Sequence, residues 1–260
     1  MTLLFPQAVS VGARSAGDGS IVQTPILHLD AADIDSYAGS GQVWADISGH
    51  GRDFNFGSSA GSDSSDPAFV GVPGAGDESC YMLLDGGDSF SAVAEWNGST
   101  LRNLGRSDIE FTLEYWLYAS ASFPTYGVIF ANTYASGGST PGFGMIIGAD
   151  GKPAVQPYTA GTFAGLAALN ADAWNHVAFA GRFNGSTPCI HYLNGEPNGS
   201  FTATAAHASG DSYDRARLGY NGGNFLPAGW RYHIVRAYDF ALSSAQIAQN
   251  FNAQRWRFGL

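Results

Sequence analysis

The chain has little charge, few basic residues, two cysteines and no long apolar run, and each scarcity removes a class of function. Asp, Glu, Lys and Arg make up 13% of its 260 residues, and 22 acidic side chains outnumber 12 basic ones for a net charge of −10. Gripping a phosphate backbone or an anionic bilayer takes clustered Lys and Arg, so neither nucleic acid nor membrane is an expected partner. No window approaches the roughly eighteen apolar residues of a spanning helix. The opening stretch lacks a basic leader and its apolar run is cut by Pro6, which argues against a signal peptide or anchor and for folding in a cytosol. There Cys80 and Cys189, each within an apolar run, are expected as buried thiols rather than a disulfide. Catalytic signatures are scarce as well: neither His-Glu-x-x-His nor paired Cys-x-x-Cys occurs, and Gly74-Ala75-Gly76-Asp77-Glu78-Ser79 fails as a phosphate loop at its last glycine.

What is present is the material of a β protein. Hydrophobic residues make up 45% of the chain and aromatics 13%, with 35 glycines and 11 prolines spread along it, which suits many short strands joined by turns. The organising stretch is Ala173–Glu196, read as a sheet-centre hairpin with Asn184-Gly185 and Asn194-Gly195 able to take the positive φ of tight turns. Ile26, Leu27 and Leu29 form a first strand, Trp44 an aromatic plug, and Phe54 and Phe56 the next strand, with Ser58–Pro67 a polar loop. Two strands flank the turn Asp85–Asp88. Asp108–Tyr118 alternates, with Ile109, Phe111, Leu113 and Tyr115 on one face and Asp108, Glu110, Thr112 and Glu114 on the other, so it is expected to be a half-buried strand with a solvated acidic face. Gly127–Asn132, Gly142–Ile147, Ala154–Tyr158, Ser200–Ala205, Ala216–Tyr220 and Gly229–Tyr238 continue the series, with Gly222–Pro227 a loop. Ser243 with Gln246 then has the spacing of a capping box, and Ile247 and Phe251 would dock a short C-terminal helix.

Several runs carry a resemblance: Leu29-Asp30-Ala31-Ala32, Ser36-Tyr37, Trp44-x-Asp46-x-Ser48-Gly49-x-Gly51, Leu84-Asp85-Gly86, Trp174-x-His176-Val177-Ala178, Tyr192-x-Asn194-Gly195, and the terminal segment from Ala241 to Leu260. Together they resemble the laminin-G-like, concanavalin A-like jelly rolls of tailed-bacteriophage virion structural proteins. The resemblance implies an all-β, antiparallel two-sheet sandwich over residues 25–260, preceded by an extended arm over residues 1–24. It implies a capsid decoration or cement protein, assembled in the host cytoplasm into the virion and not an enzyme. Its partners would be the major capsid protein or other virion proteins and further copies of itself, plausibly as a trimer. Leu3, Leu4, Phe5, Val9 and Val11 would be the apolar anchors of the arm. The alternative is a tail or fibre adhesin for host polysaccharide, with Tyr126, Tyr134, Tyr158 and Phe225 as loop aromatics for stacking on sugars.

Two further site readings follow. Many laminin-G-like domains hold calcium at a sheet rim, so Asp46 and Asp53, flanking a Gly-rich turn, are candidate ligands, against a simpler reading in which Asp46 caps that turn. Asp108, Glu110 and Glu114 are the candidates for a polysaccharide-cleaving carboxylate pair, but they do not follow the Glu-x-Asp-x-x-Glu order of glucanases on this fold. His176 is read as structural. The Asn-Gly-Ser triplets at Asn97, Asn184 and Asn198 are read as turns rather than glycosylation sites.

Overall fold

A computed structural model describes residues 20–22, 24–93, 100–105, 109–132, 142–157, 160–203 and 216–260. Two antiparallel sheets lie face to face. In spatial order the first runs Glu196–Phe201 (β14), Cys189–Leu193 (β13), Ala173–Gly181 (β12), Phe111–Ala119 (β7), Arg231–Tyr238 (β18), Tyr81–Leu83 (β5) and Ala68–Val70 (β4), with Leu27–Asp30 (β1) also paired to β18. The second runs Phe163–Ala164 (β11), Pro153–Pro157 (β10), Phe143–Gly148 (β9), Tyr126–Ala131 (β8), Arg217–Leu218 (β15), Phe90–Ala92 (β6), Phe54–Phe56 (β3) and Val43–Trp44 (β2). Tyr220–Asn221 (β16) and Asn224–Phe225 (β17) form a separate hairpin within the expected loop 222–227. This is the jelly-roll sandwich the sequence implied.

Strands β7 and β12 pair over nine residues, from Phe111 opposite Gly181 to Ala119 opposite Ala173, and β18 lies along the other side of β7. The hairpin β12–β13 is therefore central, but its two Asn-Gly pairs do different work. Asn184 Oδ1 accepts the N–H groups of Ser186 and Thr187 within a wider loop, at 3.0 and 2.8 Å. Asn194 (φ 50°) and Gly195 (φ 83°) make the tight turn into β14. Asn198 is not in a turn: it sits in β14, with its amide bonded both ways to the backbone of Ala167. Asp85–Asp88 links β5 to β6 and so carries the chain from one sheet to the other.

Between the sheets lies one apolar core, into which β7 sends Phe111, Leu113, Tyr115 and Leu117, β12 sends Val177 and Phe179, and the second sheet sends Phe54, Phe90, Ile129, Phe130, Phe143 and Met145. The first sheet is buried on its outer face too, and this overturns the expected half-exposed strand. Ser244–Gln254 (α1, the short helical turn Thr100–Asn103 being left unlabelled) and the 3₁₀ turn Arg255–Phe258 lie across it. Ser243 caps α1 as expected, its hydroxyl accepting Gln246 N–H while Gln246 Oε1 accepts Ser243 N–H at 2.9 Å. Ile247 is fully buried, Phe251 stacks on Trp116 at 5.7 Å, and Phe258 stacks on its ring at 3.9 Å. The strand alternates correctly, but both of its faces have a cover.

Ser20–Val22 runs along α1: Val22 N–H donates to Asn250 Oδ1 at 2.7 Å and Gln249 Nε2 donates to Ser20 O at 2.7 Å. Leu3, Leu4, Phe5, Val9 and Val11 lie outside the described residues, as do Asn97, Asp108, Tyr134 and Tyr158. Cys80 and Cys189 are both buried and unlinked.

Candidate functional site

Glu114 points outward from β7 into the layer under α1 and is fully buried. Its Oε1 accepts a bond from Arg236 Nη1, Asn250 Nδ2 donates to Oε2 at 2.7 Å, and His176 Nε2 lies 3.4 Å from Oε1. Asn250 Nδ2 also reaches Tyr238 Oη at 3.1 Å, so strand, helix and the Ser20–Val22 segment meet at one carboxylate. Burial alone would raise the Glu114 pKa, but the Arg236 guanidinium, the neighbouring His176 ring and the bond from Asn250 outweigh it and hold the carboxyl at about 2. A general acid needs access to substrate and a raised pKa, and Glu114 has neither. Of the acidic face read as solvated, Glu110, at the end of this strand, is exposed, whereas Glu114 is a clamp for the helix, because α1 supplies Asn250 and the sheet supplies Arg236. Gly57-Ser58-Ser59-Ala60-Gly61 has the spacing of a nucleophile elbow, yet it is an exposed turn in which Ser59 Oγ accepts Gly61 N–H at 3.2 Å.

Asp46 is a turn cap. Its Oδ1 accepts N–H bonds from His28 and Ser48 at 2.9 Å each, its Oδ2 accepts Ser48 Oγ at 2.8 Å and Arg52 N–H at 2.9 Å, and Asp53 Oδ1 accepts Asp46 N–H at 2.8 Å. With four donors already on the carboxylate, the pair does not fit calcium, whose ligands must turn their oxygens toward the ion. Among the described residues no group of three or more His, Cys, Asp or Glu side chains is arranged to hold a metal.

A second carboxylate organises an open cleft. Asp30, at the end of β1, takes both terminal nitrogens of Arg257, at 2.7 and 2.9 Å, and His233 Nδ1 lies 3.5 Å away. This pair fixes the 3₁₀ turn against β1 and leaves a cleft of about 300 Å³ lined by Asp30, Asp33, Ile34, Gly74, Gly76, Trp256 and Arg257. Trp256 is 48% exposed there and Ile34 57% exposed. The indole Nε1 donates to Ala253 O at 2.9 Å, which sets the ring's orientation. A wider cavity of about 460 Å³ opens where Ile21 and Thr24–Ile26 meet the Asp46 turn, lined in part by His28, Ser48, His50 and Asp239.

The aromatics singled out for sugar stacking are elsewhere engaged: Tyr126 bonds through its hydroxyl to Gln156, and Phe225 packs on Tyr220 at 4.7 Å. Trp256 went unread as a site residue. The signal was its position off the stripe of Ile247, Phe251 and Phe258 that faces the sheet, the place where an aromatic has no core to fill.

The model of the concanavalin A-like lectin/glucanases superfamily matches residues 85–248. The chain belongs to this superfamily. Its fold is similar to those of the following solved structures. Trypanosoma rangeli sialidase in complex with the inhibitor DANA matches with a TM-score of 0.57 and 13% identity, over 89% of this chain and 33% of that one. Domain 4 of AbnA, a GH43 extracellular arabinanase from Geobacillus stearothermophilus in complex with arabinotriose, matches with a TM-score of 0.59 and 16% identity, over 87% of this chain and 98% of that one. The botulinum neurotoxin serotype G binding domain matches with a TM-score of 0.58 and 12% identity, over 87% of this chain and 50% of that one. This superfamily member spans about a third of the sialidase chains, and at such identities the likeness is one of fold. No curated protein sequence matches it.

Proposed function

We propose that this superfamily member is a non-catalytic carbohydrate-recognition module, with the Trp256 cleft as its sugar-binding site. The observation that carries the reading is a half-exposed indole, fixed by its own N–H bond and set beside Ile34, the Asp33 carboxylate and the Asp30–Arg257 pair. A pyranose or furanose ring presents C–H groups to an aromatic face and hydroxyls at its edge, which suits an indole ringed by carboxylate oxygens and backbone carbonyls. The arabinotriose held by the arabinanase domain, a protein of the same fold, is in keeping with it. Glu114, the central acidic residue of the strand weighed for glycoside cleavage, is closed off by α1, which favours binding over hydrolysis.

The finer part of the proposal rests on the sequence resemblance to tailed-phage structural proteins. There the module would be displayed on the virion as a decoration protein, bound to the major capsid protein and to copies of itself in a closed oligomer such as a trimer. Multiple copies would turn weak single-sugar contacts into avidity.

A glycan array probed with the intact chain and with Trp256→Ala tests the binding reading. Loss of at least about tenfold in apparent affinity is expected, with the melting temperature nearly unchanged because the ring lies at the surface. Unaltered binding by Trp256→Ala would remove this cleft from consideration. Quantitative mass spectrometry of particles tests the virion reading: copies in numbers matching the shell protein support decoration, and absence from particles ends it.

A further inference from the structure

Arg231 opens β18 on the outer face of the first sheet, opposite Tyr118 of β7 on one side and beside β5 on the other. Its guanidinium carbon lies 4.0 Å from the ring centroid of Tyr118 and 4.5 Å from that of Tyr81, so the cation is held against two tyrosine faces. Trp174 braces both rings, edge to face, with centroids 5.6 Å from Tyr118 and 6.2 Å from Tyr81. Arg231, Tyr81 and Tyr118 are all half-buried.

No carboxylate among the described residues pairs with this guanidinium, and its Nε is buried without a hydrogen-bond partner. That sets it apart from Arg236, which is spent on Glu114, and from Arg257, which is spent on Asp30. In a chain of net charge −10, an arginine without a counter-ion among the described residues, yet fixed by aromatic stacking, is an ordered cation whose terminal nitrogens can donate to a ligand. A planar guanidinium matches a carboxylate or sulfate through two parallel N–H bonds, and a pre-oriented one loses little freedom on binding. The flanking tyrosines add ring faces and hydroxyls of the kind that contact sugars.

We propose that the Tyr81–Arg231–Tyr118 stack is a second binding site, distinct from the Trp256 cleft, that takes an oxyanion carried on a sugar ring, either a carboxylate or a sulfate. The inference rests on the glycan-binding reading but names another class of ligand, an acidic saccharide, at another place. An acidic polypeptide would also offer carboxylates; the two stacked rings favour a saccharide.

The test is affinity electrophoresis of the intact chain in native gels containing polygalacturonate, dextran sulfate, neutral dextran or poly-glutamate. Retardation by polygalacturonate or dextran sulfate but not by neutral dextran is expected, and the more effective polymer tells carboxylate from sulfate. Arg231→Gln should weaken it at least about tenfold, since the charge and the bidentate geometry are both lost. Arg231→Lys, which keeps the charge and intrudes least on the stack, should fall between, and it decides the matter if Arg231→Gln folds poorly. Trp256→Ala should leave retardation by the acidic polymers unchanged, so failure of the neutral-sugar cleft and failure of this site read out separately. Equal migration in all gels, wild-type retardation by Arg231→Gln, or retardation by poly-glutamate as strong as by the acidic polysaccharides would overturn the proposal.

Discussion

Mild acid should destabilise this protein through its buried histidines well before the carboxylates of Glu114 and Asp30 titrate. His191 and His233 are fully buried, and burial pushes each pKa down to about 4 from an ordinary 6.5. His191 Nε2 lies 3.0 Å from Phe163 O and His233 Nε2 lies 2.8 Å from Asp77 O, so each ring must carry its proton on Nε2 to donate to a carbonyl. A second proton would then go to Nδ1, which at His191 has no partner. Because these pKa values are lower in the folded state, the unfolded chain takes up protons first. Stability is complete above about pH 6.5 and is lost as the pH falls toward 4. Each site contributes about 1.4 kcal/mol per pH unit, so the two together remove about 4 kcal/mol between pH 7.5 and pH 5, while Asp88, whose carboxyl burial pushes up to about 7, takes up its proton in the folded state and returns part of that loss. The loss is a large share of the about 5–15 kcal/mol typical of a domain. His28, lowered to about 3 by burial and by Arg236, adds to the loss, but it is partly open to the cavity and contributes less. Glu114 and Asp30, both held at about 2, weigh in only below about pH 4.5, where the unfolded carboxylates begin to protonate. Urea titrations at pH 7.5 and pH 5.0, followed by far-ultraviolet circular dichroism, read the difference directly. His191→Gln keeps an N–H donor for Phe163 O and removes the titration, so it should flatten the pH slope by about 1.4 kcal/mol per unit. An unfolding midpoint that stays constant from pH 7.5 to pH 5.0, or a slope unaltered in His191→Gln, would refute the reasoning.

Glu114→Gln leaves the buried Arg236 without its counter-charge and should cost about 3–5 kcal/mol in urea unfolding at pH 7. Adding Arg236→Met should restore part of that loss, since no uncompensated charge remains. Gly195→Ala places a methyl group 2.8 Å from a Phe251 ring carbon on a backbone at φ 83°, and should lower stability by about 1–3 kcal/mol, seen as an earlier thermal transition.

The strands legible in the sequence were those with their own punctuation. The period-two run through Phe111–Tyr118, the Trp174–Gly181 strand and the Asn194-Gly195 turn needed only local chemistry to be found. The capping box at Ser243 was equally local, since its two partners are three residues apart. Strand β4 escaped notice because three residues with no alternation carry no period, and β16–β17 because two-residue strands look like the turn between them. The superfamily followed from motifs that these strands and turns carry, and the sandwich followed with it.

Which faces are covered is another matter, because exposure depends on what arrives from far along the chain. Glu114 reads locally as solvated, and only Arg236 and Asn250, 122 and 136 residues away, make it a buried clamp. Trp256 and Arg231 pass locally as core aromatic and strand cation. The fold leaves the first beyond the helix's buried stripe and the second between two tyrosines with no carboxylate among the described residues to pair with. Periodicity, turns and caps are short-range properties and were settled by the sequence itself. Burial, ion pairing and the opening of a cleft are sums over distant segments, and only the packed tertiary structure decided them.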